Sequence, residues 1–146
     1  MGYAEYTSVP ISRSQEEIKK ILSKYGAQAF MMGESPDTAM IAFELKGRHI
    51  KMILPTLIYG KSKNKKNYLL SQKDVDQENR RRWRCLVIAI KAKLECVESG
   101  ITTLEQEFMA HIVLPDGSTI GHLITPQIED TYKTGNMPPL LGMRNQ

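Results

Sequence analysis

Apolar side chains recur at helical spacing in some stretches of the chain and alternate with polar ones in others. Ile18, Ile21, Leu22 and Tyr25 follow a Ser14/Glu17 pair that reads as a capping box, and Gly26 supplies a stop. This predicts a first helix opening at Ser14. Tyr3 to Ile11 should be extended before it, because Pro10 disfavours helix at Val9. Three short strands are expected next. Ala27 to Met32 is the first, ended by the Gly33–Asp37 turn cluster. Ala39 to Leu45 alternates, with Ile41, Phe43 and Leu45 on one face. After a Lys46-Gly47 turn, Ile50, Met52 and Leu54 form the inner face of the return strand, which Pro55 ends.

Residues 60–73 carry no apolar period and are rich in lysine, asparagine and serine, so a flexible basic loop is expected there. The longest helix should run from about Val75 to Ser99. Trp83, Val87, Ile90, Leu94 and Val97 trace its apolar stripe, widened by Leu86 and Cys85, and Gly100 closes it. Thr103 and Gln106 form a second capping box, with Leu104 and Phe108 facing inward. Leu114-Pro115-Asp116-Gly117 is a turn signal between two short strands, Ile112–Leu114 and Ser118–Ile120. Thr125 with Pro126 marks a last helix that Gly135 ends, and residues 137–146 form a C-terminal arm or tail.

The reading is a single α+β domain over 1–146. It has an α-β-β-β-α core, a small antiparallel sheet, a long central helix and a C-terminal helical appendage. In element order alone this core resembles the double-stranded-RNA-binding domain, whose loop and helix signatures are not matched here. A length of 146 residues suits one core, and 41% hydrophobic with 25% charged residues is ordinary for a globular chain. No apolar run approaches the ~20 residues of a membrane helix, and no basic region followed by an apolar run opens the chain. Tyr6 stands where a myristoylation pattern needs a hydroxyl residue of the serine or threonine kind. An intracellular protein without membrane association is expected. Cys85 and Cys96, eleven residues apart on one helix, would lie ~16 Å from each other, beyond disulfide reach. They read as buried thiols, which suits a reducing compartment.

Charge changes the picture more than composition does. Residues 1–45 carry a net −2, residues 46–93 a net +11, and residues 94–146 a net −5. No acidic residue separates Glu44 from Asp74, an interval holding Lys46, Arg48, Lys51, Lys61, Lys63, Lys65, Lys66 and Lys73. None separates Glu78 from Glu95, which bracket Arg80, Arg81, Arg82, Arg84, Lys91 and Lys93. Such a concentration is the electrostatic footprint of a polyanion partner, or else a solvated face neutralised by the acidic ends.

Catalytic motifs are weak by comparison. Gly60-Lys61-Ser62 matches the end of a phosphate-binding loop, but Pro55 stands where its first glycine belongs. His49, His111 and His122 show no metal-ligand spacing. Asp74, Asp76 and Glu78 lie two apart, so a helix would not gather them on one face, and acidic groups at a helix start compensate its dipole. No catalytic residue, metal ligand or cofactor is predicted. The distinctive feature is Arg80-Arg81-Arg82-Trp83-Arg84. Its arginines suit phosphate, while Trp83 belongs to the apolar stripe and should pack in the core.

Several stretches are similar to a family of small, uncharacterised proteins encoded by bacteriophages and prophages. They are Tyr3-Ala4-Glu5-Tyr6-Thr7-Ser8-Val9-Pro10, Arg82-Trp83-Arg84, Lys91-Ala92-Lys93-Leu94-Glu95, Ile112-Val113-Leu114-Pro115-Asp116-Gly117, Pro126-Gln127-Ile128 and Met137-Pro138-Pro139-Leu140-Leu141. The resemblance implies phage origin and a bacterial-cytoplasmic setting, and it carries no activity. The expected function is that of a non-enzymatic nucleic-acid-binding accessory protein, DNA or RNA being bound through phosphate. The candidate contacts are Lys61, Lys63, Lys65, Lys66, Arg80, Arg81, Arg82 and Arg84. The alternative is a counter-defence inhibitor of the anti-CRISPR kind, using the same basic surface on a host defence protein complex.

Overall fold

In the computed structural model, residues 4–58 and 71–139 are described. The elements run α1 (Ile11–Lys24), β1 (Ala29–Ser35), β2 (Thr38–Leu45), β3 (Arg48–Pro55), α2 (Gln72–Glu98), α3 (Leu104–Phe108) and α4 (Ile120–Thr134), with a 3-10 turn at Met109–His111. The α+β order and the long central helix are as the sequence predicts. The sheet is an antiparallel meander, β1-β2-β3. Its β2–β3 hairpin closes through Lys46 and Gly47, whose φ angles are both positive at 49° and 76°. That is the backbone a two-residue turn needs to match strand twist.

Alternation places Ala39, Ile41, Phe43 and Leu45 on the buried face of β2, continued by Ile50 and Met52 of β3. Ile18 and Leu22 of α1 pack onto this face. So do Trp83, Val87, Ile90 and Leu94 of α2, and Leu104 and Phe108 of α3. Phe43 and Phe108 meet edge to face, with centroids 5.8 Å apart. Trp83 is 1% exposed, so its indole is core. The second capping box forms as expected: Thr103 accepts from the Gln106 amide at 3.1 Å, and Gln106 accepts from the Thr103 amide at 2.9 Å.

Helix and strand boundaries differ from the sequence reading where a competing group takes over. α1 opens at Ile11 with Pro10 as its cap, because the Pro10 carbonyl already accepts from the Arg13 and Ser14 amides. Ser14 is therefore fully buried inside the helix and does not cap it. Before it, Ala4–Tyr6 make a turn rather than an extended run, with the Thr7 amide donating to the Ala4 carbonyl at 3.0 Å. β1 starts two residues later than predicted and runs through Gly33 to Ser35, since pairing with β2 keeps Gly33 extended opposite Met40. α2 starts earlier than predicted, at Gln72, because the Ser71 hydroxyl accepts from the Asp74 amide. Residues 60–70 of the expected loop, and 140–146 of the expected arm, lie outside the described residues.

The C-terminal helix departs furthest. Thr119, not Thr125, is the cap, and Pro126 sits inside α4, where it forfeits one backbone bond. The two short strands around Pro115 reduce to single bridges, Ile50 with Ile112 and Val113 with Thr119. α4 has no fully buried residue. It rests on the 3-10 turn through Gly121, where a Cβ would stand 2.8 Å from the Ala110 carbonyl oxygen. Among the described residues, no helix is long and apolar enough to cross a membrane.

Two substitutions test this packing. Trp83→Ala should cost about 3–5 kcal/mol of unfolding free energy, measured by denaturant titration, because it empties a closed site. Gly121→Ala should cost about 1–3 kcal/mol by overpacking. Its effect should appear first in hydrogen exchange of α4 amides, before the sheet is affected.

Candidate nucleic-acid interface

The expected contacts divide into two groups. Lys61, Lys63, Lys65 and Lys66 lie outside the described residues. Arg80, Arg81, Arg82 and Arg84 lie within little more than one turn in the first half of α2, and every one of them makes intramolecular contacts.

Helical spacing decides which. Three and four residues beyond Glu78, Arg81 and Arg82 share its carboxylate. Arg81 donates from Nε to Oε2 at 2.9 Å and from Nη2 to Oε1 at 2.7 Å, a two-pronged grip, while Arg82 Nε reaches Oε1 at 3.0 Å. This pairing holds the Glu78 carboxyl below the usual carboxylate range, the Arg81 hydrogen bonds being the largest cause. It raises the Arg81 guanidinium above its ordinary value, again through the Glu78 hydrogen bond first. Arg82 also donates from Nη1 to the Pro55 carbonyl at 2.7 Å, tying α2 to the end of β3. Arg84, one turn further along, pairs with Glu17 of α1 at 2.5 Å. Arg80 donates to Gln77 Oε1 at 2.8 Å, and its buried Nε has no hydrogen-bond partner among the described residues.

Two neighbours that charge patterning does not single out complete the arrangement. Gln77 donates to the carbonyls of Glu5 and Thr7, at 3.0 and 2.9 Å, and so pins the N-terminal segment. Asn79 accepts from the Leu57 amide at 2.8 Å and donates to the Leu57 carbonyl at 3.1 Å, as a strand neighbour would. Neutral amides inside a helix give no periodic or charge signal. The only hint is their position beside the arginine run, where a polar helix face is otherwise charged.

The remaining polar groups offer little chemistry. Asp76 accepts from Gln72, and Asp74 lies in the first turn of α2, so the acidic triplet is spread around the helix. Among the described residues there is no group of three or more His, Cys, Asp or Glu that could hold a metal ion. Burial, with Lys93 nearby, lowers the His111 pKa. Cys85 and Cys96 are both half-buried along α2 rather than fully buried, and they form no disulfide. Lys46, Lys73 and Lys91 are exposed and make no ion pair among the described residues. The chain matches no family model, no curated protein and no solved structure.

The Glu78 pairing has a pH signature. A carboxyl whose folded pKa is depressed stabilises the fold above its unfolded value, and that contribution disappears as pH falls through the folded value. Glu78→Gln should lower stability by about 1 kcal/mol at neutral pH, the pair being partly exposed. The difference from the parent should shrink as pH falls below the ordinary carboxylate range, and thermal unfolding along a pH series reads it directly.

Proposed function

We propose that this protein is a non-enzymatic nucleic-acid-binding accessory protein whose phosphate contacts are made by Lys61, Lys63, Lys65 and Lys66. In this reading the arginines of α2 serve first as a scaffold for that basic stretch. The supporting observation is where the stretch is rooted. Its upstream side is held against α2 by Arg82 on Pro55 and by Asn79 on Leu57. Its downstream side ends at Ser71, the cap of the same helix. The described segments that flank the lysine stretch on either side therefore both attach to the first half of α2, which carries Arg80–Arg82. Exposed Lys73 adds to the same half, within the first turn after the cap. Contacts of this kind read phosphate and not sequence, so DNA and RNA would bind with little base preference. The resemblance to phage-encoded proteins suits such binding in a bacterial cytoplasm.

A second reading has its own support. No helix among the described residues covers the outer face of the sheet, where Met31 is 58% and Ile53 53% exposed beside polar Glu44, His49 and Lys51. A protein partner, as a counter-defence inhibitor requires, would use such a face more readily than a polyanion would.

Affinity measured against salt separates the two. Nucleic-acid binding should weaken steeply as salt rises, because each neutralised phosphate releases condensed counterions. Replacing Lys61, Lys63, Lys65 and Lys66 with Gln should weaken binding alike for all sequences. The salt slope should flatten by about one unit for each phosphate left without its lysine. Adding Arg81→Gln should weaken binding further if helix and lysines engage one phosphate track. No measurable binding of the parent to DNA or RNA at low salt would overturn the nucleic-acid reading. A protein then retained from nuclease-treated bacterial lysate would favour the inhibitor.

A further inference from the structure

Among the described residues, the sheet has one partly occupied edge and one unpaired edge. Along β3, the Val113 amide donates to the His49 carbonyl at 2.8 Å and Ile112 bridges Ile50, so part of that edge is occupied. Among the described residues, no backbone group pairs with the outer edge of β1. Exposed edges are usually blunted by lysine, proline or a bulge. Between Ala29 and Ser35 there is no lysine or proline, and the register with β2 is unbroken over all seven residues. The one charge, Glu34, accepts from Gln15 of α1 at 2.7 Å.

The unpaired groups follow from the hairpin. Only Pro36 and Asp37 separate Ser35 from its partner Thr38. The closing pair of a two-residue turn is hydrogen-bonded, and antiparallel pairs alternate from there. Ser35, Gly33, Met31 and Ala29 therefore face β2 with their amides and carbonyls. Those of Phe30, Met32 and Glu34 face outward.

We infer that β1 pairs antiparallel with β1 of a second copy, about a two-fold axis at Met32. This register sets Met32 against its own copy, Phe30 against Glu34, and Met31 against Gly33, so every outward amide meets an outward carbonyl. It also keeps like faces together, which a shift by one residue would not. The side chains fit the same symmetry. Exposed Met31 stands on the outer face beside the second copy's Gly33, which has no Cβ to obstruct it. A Cβ at Gly33 would lie 3.6 Å from the Met40 methyl, so Met31 of one copy meets Met40 of the other across the glycine. The two Glu34 carboxylates sit four residues apart along the ladder, about 14 Å, and are screened from each other at physiological salt.

One strand supplies both the protruding methionine and the gap that receives it, which is what an isologous contact requires. That self-complementarity selects a second copy over an unrelated peptide. The product is a six-stranded sheet with the helices of both copies on one face. On the other face, each copy carries a shallow apolar depression of about 340 Å³, lined by Ala29, Met31, Met40, Ala42 and Lys51. The inference does not depend on what the basic stretch binds.

Sedimentation velocity of the full chain, from about 1 µM to about 100 µM, tests it over the range where small interfaces associate. The parent should move from the 16.6 kDa monomer toward a dimer as concentration rises. Gly33→Lys fills the gap that receives Met31 and should remain monomeric throughout. Its new Cβ meets only the Met40 methyl at ordinary contact distance, so far-UV circular dichroism should be unchanged. Glu34→Pro removes an outward amide on the edge strand and should act likewise. A parent that stays monomeric over the whole range would overturn the inference. So would a dimer that persists in both variants while they remain folded.

Discussion

The burial of Trp83 is the contact on which the other parts of this fold converge. Its indole is closed off between the sheet and α1, and the turns of α2 around it carry the polar groups that reach every neighbouring segment. Gln77 holds the N-terminal stretch, Asn79 and Arg82 hold the end of β3, and Arg84 holds α1. The apolar interior supplies the driving force. The surrounding hydrogen bonds then fix which segment lies against which, since a buried amide or guanidinium without its partner is costly. Glu78 organises two of the arginines from within the helix, so the register of α2 also sets the direction of its long side chains.

This arrangement changes what the charge pattern means. A net +11 over residues 46–93 looks from the sequence like a surface offered to a polyanion. In the fold, Arg81, Arg82 and Arg84 spend their donors on carboxylates and a backbone carbonyl within the same chain. A phosphate would have to compete with groups already held in good geometry, and partly sheltered from water. Three lysines of this third carry no such commitment: Lys46, Lys73 and Lys91 stay exposed and without ion pairs among the described residues, whereas Lys93 donates to the Glu107 carbonyl. The division follows from side-chain chemistry, because the planar fork of arginine suits fixed partners and the ammonium of lysine stays hydrated.

The core was legible in the sequence because it rests on period alone. Alternation through Ile41, Phe43 and Leu45 and the Trp83–Leu94 stripe need no knowledge of tertiary contacts. The Thr103/Gln106 box was equally plain, being local. Boundaries failed where two capping groups compete. Ser14 looks like a cap until the Pro10 carbonyl takes the first helical amides, and Thr125 looks like one until Thr119 is seen to accept from His122. The candidate site was half legible. Arginine positions could be read, but Glu17 lies 67 residues from Arg84, and no local pattern joins them. Gln77 and Asn79 carry neither charge nor period, so their roles appear only once the chain has folded back on α2.

The two faces of the sheet show how far this economy reaches. All the helical cover, α1, α2 and α3, lies on the face lined by Ile41, Phe43 and Ile50. The opposite face receives none of it among the described residues, although Met31, Met40, Ala42 and Ile53 lie there among Thr38, Glu44, His49 and Lys51. α4 does not fill the deficit, since it leaves the fold at Gly121 and buries none of its residues fully. Apolar residues kept on a solvent face add nothing to the stability of an isolated chain. Met31 on β1 and Ile53 on β3 stay exposed at opposite edges of the sheet among the described residues, so the stability of the chain rests on the covered face.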